Sequence, residues 1–282
     1  MKPSVSLVIT TYNWPEALEQ VLESIQHQRP WGTSLEVIIA DDGSTQETRN
    51  LIEAWRKRLS CPLIHVWQPD NGFQAARIRN LAVKQAQNQY IIFIDGDCIL
   101  SPQFLNRHMV LAEKKWFVSG NRVLLSQKFS QAVLKYKMSL CHFGFKDWLN
   151  AWHQTFTNKL WPNLYISNHC FRKLYKKRWT GAKTCNLGMW RDDFLTVKGF
   201  DEGFQGWGFE DSDLIVRLIN NGTYHKNGRL AVPVYHLWHP DASRDNQEAN
   251  LAFLHQTIAK SRVQPQSSIF CLDGFGHDTQ NI

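Results

Sequence analysis

Tyr90-Ile91-Ile92-Phe93-Ile94-Asp95-Gly96-Asp97 is the stretch of sequence that decides the fold. Its apolar run is typical of a strand that is buried on both faces of a parallel sheet. Open α/β sheets bind ligands at the carboxyl ends of their strands, which is where Asp95 and Asp97 follow. Two carboxylates repel a phosphate unless a hard cation such as Mg²⁺ or Mn²⁺ neutralises them. The stretch therefore favours a metal-bound diphosphate at this edge, although a plain Asp-Gly turn would use the same residues.

The residues before this strand alternate between short apolar segments and segments with helical periodicity. Strands are predicted at Ser4–Thr10, Leu35–Ala40 and Leu63–Trp67, and helices at Pro15–Gln28, 45–59 and Phe73–Gln87. Strands that alternate with helices of about a dozen residues indicate parallel βαβ units. No G-x-G-x-x-G fingerprint follows the first strand, which argues against a dinucleotide-binding fold.

The pattern changes after residue 120, where cations and aromatic residues become frequent. Residues 126–180 contain ten Lys and Arg but one acid, Asp147, and so carry a net charge of +9, while the rest of the chain sums to −2. This mixture is typical of a surface that meets anionic lipid headgroups. A solvated helical insertion with its own small core is the alternative. Nucleic-acid binding is not favoured, because no recognised module accompanies the segment.

The remaining sequence predicts few regular elements. Residues 181–211 look rich in loops, Ser212–Asn220 is a predicted helix, and a short strand is predicted within 229–240. From Val263 the sequence is polar and aperiodic, which predicts a partly mobile tail. We therefore expect a single domain over residues 1–262 and a tail over 263–282.

Composition indicates a cytoplasmic protein. The longest apolar runs are about six residues, whereas a transmembrane helix needs about 18. The first residues turn polar too soon for a signal peptide. The six cysteines show no C-x-x-C pairing and are expected to be reduced thiols. Contact with the inner face of the membrane would then be peripheral.

Several motifs follow the predicted strands in a distinctive order. They are Val8-Ile9-Thr10-Thr11-Tyr12-Asn13, Asp41-Asp42-Gly43-Ser44, Asn71-Gly72 through Arg79-Asn80, and Asp95-Gly96-Asp97. This succession resembles family-two glycosyltransferases, which are inverting enzymes with the GT-A fold. Gly199-Phe200-Asp201-Glu202 and Gly206-Trp207-Gly208-Phe209-Glu210-Asp211 resemble the acceptor-side motif of β-1,4-galactosyltransferases and bacterial chondroitin-type polymerases.

The resemblance covers roughly residues 4–240, apart from 126–180, and implies an α/β fold of GT-A type. Such a fold has a mostly parallel central sheet flanked by helices. Residues 1–120 would form the nucleotide-sugar-binding half and residues 181–262 the acceptor-binding half. Residues 126–180 would be a basic, aromatic-rich helical insertion.

The resemblance also implies a set of donor-binding residues. Thr10, Tyr12, Asn13 and Asp42 would hold the nucleotide of a UDP-sugar. An aromatic ring can stack on a base, and a carboxylate can accept the imide N–H of uracil. Arg79 would reach the diphosphate as a charged donor. Without the resemblance, Tyr12 and Asp42 would read as a loop aromatic and a helix-capping turn residue.

The same resemblance implies a metal site, with Mn²⁺ or Mg²⁺ as cofactor. Asp95 would touch the ribose or the metal, and Asp97 would bind the metal directly. His236, or else His239, would be a further ligand, and an imidazole suits Mn²⁺ better than Mg²⁺.

The acceptor side is expected at Trp207, Glu210 and Asp211. An inverting transfer needs one carboxylate to take the proton of the attacking hydroxyl. By the resemblance, Asp211 would be this base, Glu210 would orient the acceptor, and Trp207 would be a flat platform for a sugar ring.

These inferences predict transfer of a hexose or N-acetylhexosamine from a UDP-sugar to a saccharide acceptor, carried on a lipid. The process would be synthesis of a bacterial surface polysaccharide or lipopolysaccharide. Two other classes fit parts of the pattern: a Mg²⁺-dependent phosphatase with an aspartyl nucleophile, and a non-catalytic sugar-binding module.

Overall fold

The computed structural model describes residues 2–28, 34–167, 170–241 and 243–272. Its strands are β1 (Val5–Thr11), β2 (Leu35–Asp41), β3 (Leu63–Trp67), β4 (Tyr90–Asp95), β5 (Cys98–Leu100), β6 (Trp116–Ser119), β7 (Asn121–Leu124), β8 (Asn186–Trp190), β9 (Tyr224–Asn227) and β10 (Pro233–His236). Its helices are α1 (Pro15–Gln26), α2 (Gln46–Arg56), α3 (Ala75–Gln85), α4 (Phe104–Leu111), α5 (Gln127–Tyr136), α6 (Phe145–His153), α7 (Arg191–Thr196), α8 (Glu210–Asn220), α9 (Gln247–Ala259) and α10 (Ile269–Leu272).

The strands form a large and a small sheet. The large sheet has the order β3-β2-β1-β4-β8-β6-β9, and the small one the order β5-β10-β7. β3, β2, β1 and β4 run parallel, whereas β8 is antiparallel to both of its neighbours. The predicted parallel βαβ units and the mostly parallel central sheet are confirmed. Helix ends differ from the prediction by a few residues, as α2 ends at Arg56 and not at residue 59.

The central strand β4 is apolar throughout because both of its faces are covered. Ile92 and Ile94 belong to the core on one side of the sheet, and Ile91 and Phe93 to the core on the other. Successive side chains of a strand point to opposite faces, so a strand between two helical layers must be apolar at every position. Polarity begins only at Asp95, where the strand leaves the core.

Strand β8 lies within the stretch that the sequence predicted to be loop-rich. Its middle residue, Gly188, interrupts the apolar run and so hides the strand from sequence patterns. A Cβ at this position would lie 2.6 Å from Tyr90 Oη and 2.7 Å from His108 Nδ1. The glycine is therefore required by two side chains that pack across the strand.

Among the described residues of 126–180, the buried hydrophobic side chains belong to the main core. Phe129, Leu140 and Trp148 are buried in the main core, and the Trp148 ring lies 4.7 Å from the Tyr235 ring on β10. The alternative of an insertion with a separate small core is thus wrong. These residues cover the edge of the small sheet.

Residues 263–272 are packed against the domain, so the prediction of a loose tail from Val263 is wrong for this part. Asp201 accepts hydrogen bonds from the backbone N–H groups of Gln266 (2.5 Å) and Ser267 (3.2 Å), and Glu202 accepts one from Ile269 (3.0 Å). Phe270 is buried. The carboxylates of the Gly-Phe-Asp-Glu motif hold this segment, which a polar sequence could not reveal. Residues 273–282 lie outside the described residues.

Two further properties follow from the coordinates. All six cysteines are free thiols, as predicted. Across the described ranges, every helix is too short or too polar to span a lipid bilayer.

Candidate active site

The two acidic clusters of the sequence meet in one cavity of about 1140 Å³. It opens where β1, β2 and β4 end, and the start of α8 and the end of β10 close its other sides. Eleven of the twelve predicted site residues line it: Thr10, Tyr12, Asp42, Arg79, Asp95, Asp97, Trp207, Glu210, Asp211, His236 and His239. The fold thus brings together residues separated by more than a hundred positions.

Arg79 joins the two clusters. Its buried guanidinium donates to Glu210 Oε1 at 3.1 Å and to Asp95 Oδ1 at 3.4 Å, while its Nε donates to Thr10 Oγ1 at 3.0 Å. These charge-assisted bonds hold the carboxylates of β4 and α8 around one cation. The sequence predicted that Arg79 donates to the diphosphate. In the structure its donors hold the side chains of both acidic clusters.

Asp42 is a buried carboxylate at the end of β2. Its Oδ1 accepts from Gln68 Nε2 at 2.5 Å and its Oδ2 from the backbone N–H of Gln74 at 2.8 Å. Burial raises the pKa of Asp42 above its ordinary value. Asp42 thereby holds the loop before α3 against the cavity wall.

Tyr12 is half exposed at the cavity rim. Its hydroxyl donates to Asp70 Oδ2 at 2.8 Å, which fixes the partly exposed ring at the mouth. Asp70 also lines the cavity; its only sequence signal was its place before the Asn71-Gly72 turn.

Asn13 is the predicted nucleotide-binding residue that stands outside the described lining of the cavity. Its Oδ1 accepts from the backbone N–H of Thr45 at 2.9 Å, and its own N–H donates to Ser44 Oγ at 2.9 Å. Its φ of 45° is a left-handed value that asparagine tolerates better than most residues. Asn13 therefore ties the β1 loop to the β2 loop.

Asp97 faces two histidines. Its Oδ2 lies 3.1 Å from His239 Nε2 and 3.6 Å from His236 Nε2. β5 and β10 are antiparallel neighbours, and His236 lies opposite Cys98 in their register. The turn after β4 thus carries Asp97 to the end of β10, where the histidines are.

The charges in this group compensate one another. The hydrogen bond that His239 donates to Asp97 raises the pKa of His239 to about 9, whereas burial lowers the pKa of His236. One carboxylate oxygen and two imidazole nitrogens at these spacings suit a divalent ion such as Mn²⁺, which accepts imidazole more readily than Mg²⁺ does. The residues present therefore fit a metal at the predicted place, with both histidines within reach.

The Gly206–Phe209 loop places the acceptor-side residues. Gly206, Gly208 and Phe209 have φ values of 67°, 114° and 70°. Such values are unusual for a bulky residue like Phe209 and are often found at functional sites. The turn they make starts α8 at Glu210, earlier than the predicted Ser212, so Glu210 and Asp211 lie in the first helical turn.

Asp211 is the carboxylate that remains available to an acceptor. Its Oδ1 accepts from the backbone N–H of Ser212 at 2.7 Å, and Glu210 is occupied by Arg79. Removal from water, together with the charge of Glu210, raises the pKa of Asp211 to about 6. A carboxylate of this pKa is ionised at neutral pH and is a better proton acceptor than an ordinary one.

Several lining residues were missed by sequence reasoning. Arg122 on β7 and Lys183 before β8 bring cations to the cavity, and Trp179 brings a ring from the end of the basic segment. Lys183 Nζ lies 5.9 Å from the Trp207 ring. No local pattern distinguishes these residues, because their roles follow from the paths of β7 and β8.

Comparison with known proteins gives consistent matches. The family described as glycosyl transferase family 2 matches residues 6–181, and the N-terminal domain of galactosyltransferase matches residues 167–237. Validoxylamine A glucosyltransferase of Streptomyces hygroscopicus subsp. limoneus is 28% identical over 239 residues, covering 78% of this chain and 49% of that protein. Chondroitin synthase of Escherichia coli is 25% identical over 266 residues, covering 87% of this chain and 36% of that protein.

A solved structure shares the fold. It is the mannosyltransferase PcManGT from Pyrobaculum calidifontis in complex with GDP-Man and Mn²⁺. The TM-score is 0.58 and the sequence identity 16%, and the match covers 93% of this chain and 72% of that one. The predicted GT-A type of fold is thereby confirmed. The chain spans about half the length of the first curated relative and about a third of the second.

Proposed function

The chain belongs to glycosyl transferase family 2, and from this membership we propose a specific reaction. The protein transfers a hexose or an N-acetylhexosamine from a UDP-sugar to a saccharide acceptor, with inversion at the anomeric carbon and with Mn²⁺ or Mg²⁺ bound. The acceptor is a lipid-linked saccharide, and the reaction belongs to cytoplasmic assembly of a bacterial surface polysaccharide or lipopolysaccharide.

One observation carries this proposal: Arg79 holds Asp95 and Glu210 around a single guanidinium inside one cavity. The group of Asp97, His236 and His239, which could hold a metal ion, therefore faces the same cavity of about 1140 Å³ as the proposed proton acceptor Asp211. Ligand pockets of roughly 300–1000 Å³ are ordinary for small molecules. The volume suits a nucleotide-sugar together with the end of an acceptor.

The chain's own residues have separate roles in this reaction. Tyr12 stacks on the base, and Asp42 orients the loop around it. Asp97, His236 and His239 would hold the divalent ion, which when bound stabilises the charge on the departing diphosphate. Asp211 takes the proton of the acceptor hydroxyl. The hydroxyl oxygen then attacks the anomeric carbon from the side opposite the diphosphate.

The relatives support sugar transfer while leaving the donor open. One is named a glucosyltransferase, one a chondroitin synthase, and the mannosyltransferase structure contains GDP-Man. The experiment that tests the proposal is therefore a panel of UDP-glucose, UDP-galactose, their N-acetylamino forms and GDP-mannose, each incubated with Mn²⁺ and without acceptor. Slow hydrolysis should release UDP from one UDP-sugar faster than GDP is released from GDP-mannose. Faster release of GDP would refute the UDP assignment, and no release from any donor would refute the site.

The phosphatase alternative loses its support. Such enzymes carry their Asp-x-Asp motif on an early strand, whereas here it follows β4, and the family match is to sugar transferases. Phosphate release from an aryl phosphate, tested in the same assay, would restore it.

Peripheral contact with an anionic membrane is the second part of the proposal, supported by the exposed side chains of residues 126–180. Among the described residues, ten of the eighteen exposed large hydrophobic side chains lie in this segment. Leu174 and Tyr175 are 71% and 68% exposed, beside Lys176 and Lys177. Apolar side chains next to cations are suited to the headgroup region, where each cation contributes about 1 kcal/mol.

The membrane contact predicts a loss of vesicle binding on changing two residues. The double substitution Leu174→Ser, Tyr175→Ser should lower the partition coefficient on vesicles containing phosphatidylglycerol by about tenfold or more, because burial of a large apolar side chain contributes about 1.5–3 kcal/mol. Sedimentation with vesicles measures this. Leu230→Ser, exposed but outside the segment, is the matched control. Equal binding to uncharged vesicles, or an equal loss in the control, would contradict the proposal.

A further inference from the structure

A thiol pair borders the candidate metal group and has no role in the proposed reaction. Cys98 Sγ donates a hydrogen bond to Asp97 Oδ1 at 3.2 Å and also contacts the Cys185 thiol. Cys98 is fully buried, whereas Cys185 lines the cavity. The two thiols therefore extend from the buried core at Cys98 to the cavity wall at Cys185.

The side chains of Asp97, Cys98 and His236 have ligand atoms at spacings typical of a metal site. One ligand atom each from Asp97, Cys98 and His236 lie within 4.8 Å of one another. The Asp97–Cys98 and Asp97–His236 contacts measure 3.2 Å and 3.6 Å. Zinc bonds of about 2.0–2.3 Å in a tetrahedron require ligand atoms roughly 3.3–3.8 Å apart. The Cys98 contact is made by Asp97 Oδ1 and the His236 contact by Asp97 Oδ2, so an ion bound through one oxygen requires a small rotation of this carboxylate.

We propose that Asp97, Cys98 and His236 form a binding site for a thiophilic divalent ion of the Zn²⁺ class, with a water from the cavity as the fourth ligand. On binding, the Cys98 S–H bond breaks, one S–Zn bond forms, and the proton passes to solvent. No electron is transferred.

This site and the Mn²⁺ site exclude each other, because they share Asp97 and His236. His239, at 3.1 Å from Asp97 Oδ2, serves the hard-ion arrangement on the cavity side, and the Cys98 thiol serves the zinc arrangement from the core side. Nitrogen, oxygen and sulfur sites generally bind Zn²⁺ more tightly than Mn²⁺. Zinc therefore displaces the catalytic ion and inhibits the enzyme.

Cobalt substitution tests the thiolate ligands without any enzyme assay. Full-length protein, kept reduced, is titrated with Co²⁺, and thiolate-to-cobalt charge-transfer absorption is followed in the near ultraviolet. We expect the band in the wild type and in Cys170→Ser, an exposed cysteine used as matched control, and its loss in Cys98→Ser and Cys98→Ala. One equivalent of Zn²⁺ should abolish it. A wild type without the band, or a band that persists in a folded Cys98 variant, overturns the proposal.

X-ray absorption of the zinc-loaded wild type provides a test that needs no variant. A zinc–sulfur shell at about 2.3 Å is expected, and a shell of nitrogen and oxygen alone overturns the proposal.

An inhibition assay then connects the site to activity and rests on the proposed function. The zinc concentration for half-inhibition, normalised to each variant's own Mn²⁺-supported rate, should rise about tenfold or more in Cys98→Ser. Because the spectra need no turnover, failure of the zinc site and failure of the transferase assignment are distinguishable.

Discussion

Replacing Asp97 by alanine is expected to abolish Mn²⁺-dependent UDP binding and to lower the transfer rate by about a thousandfold or more. The Asp97 Oδ2 atom lies within 3.6 Å of both His236 Nε2 and His239 Nε2. A bound ion supplies several kcal/mol of charge stabilisation to a departing diphosphate, and each 1.4 kcal/mol corresponds to about tenfold in rate. Calorimetric titration with UDP, with and without Mn²⁺, measures the binding.

The control for this substitution is Asp192→Ala, which removes an equally negative but exposed side chain from α7. It should bind UDP as the wild type does. His236→Ala and His239→Ala then test the two imidazoles separately, and each should weaken the Mn²⁺ dependence. Undiminished Mn²⁺-dependent binding by Asp97→Ala would show that the ion, if any, lies elsewhere in the cavity.

Sequence patterns predicted residues 1–120 well because each element there is locally self-consistent. Residues 90–94 of β4 are buried on both faces and apolar, and Asp95 ends the strand where it leaves the core. The neighbouring helices carry a clear apolar stripe. Periodicity therefore identified the parallel units and the edge of the sheet at which the cavity opens.

The elements within residues 181–272 could not be predicted in the same way, because they depend on partners that are distant in sequence. β8 contains Gly188 for the sake of Tyr90 and His108, side chains far away in sequence. The segment 263–272 is held by carboxylates of Asp201 and Glu202. Short strands with such tertiary requirements leave no periodic signal.

The roles of polar residues were the least predictable part of the site. Arg79 stays a predicted diphosphate contact, and the structure adds bonds from its side chain to Thr10, Asp95 and Glu210 that no motif indicated. A motif identifies which residue types approach a ligand, but not which of them touch it and which support others. Only the hydrogen-bond partners distinguish the two. By that criterion Arg79 and Asn13 position the site, while Asp97 and Asp211 face its open volume.

Replacing Asp211 by asparagine is expected to lower kcat by about a thousandfold or more while leaving UDP-sugar and acceptor binding nearly intact. Asparagine keeps the shape of the side chain and the acceptor for the Ser212 N–H, but cannot take a proton from an attacking hydroxyl. General-base catalysis contributes about 10²–10⁴-fold. Initial rates and acceptor titrations measure the two quantities separately. A non-catalytic sugar-binding module would show no turnover in the wild type either.

The pH dependence gives an independent test of the same residue. Asp211 must be ionised to accept a proton, and its pKa is raised to about 6. Below this pH the carboxyl is protonated, so kcat/KM should fall as pH decreases through about 6 and level off above it. In Asp211→Asn this acidic limb should disappear from the residual rate, whereas Asp241→Asn, which removes an exposed charge from the same cavity, should keep it. An unchanged acidic limb in Asp211→Asn would assign the base to another residue.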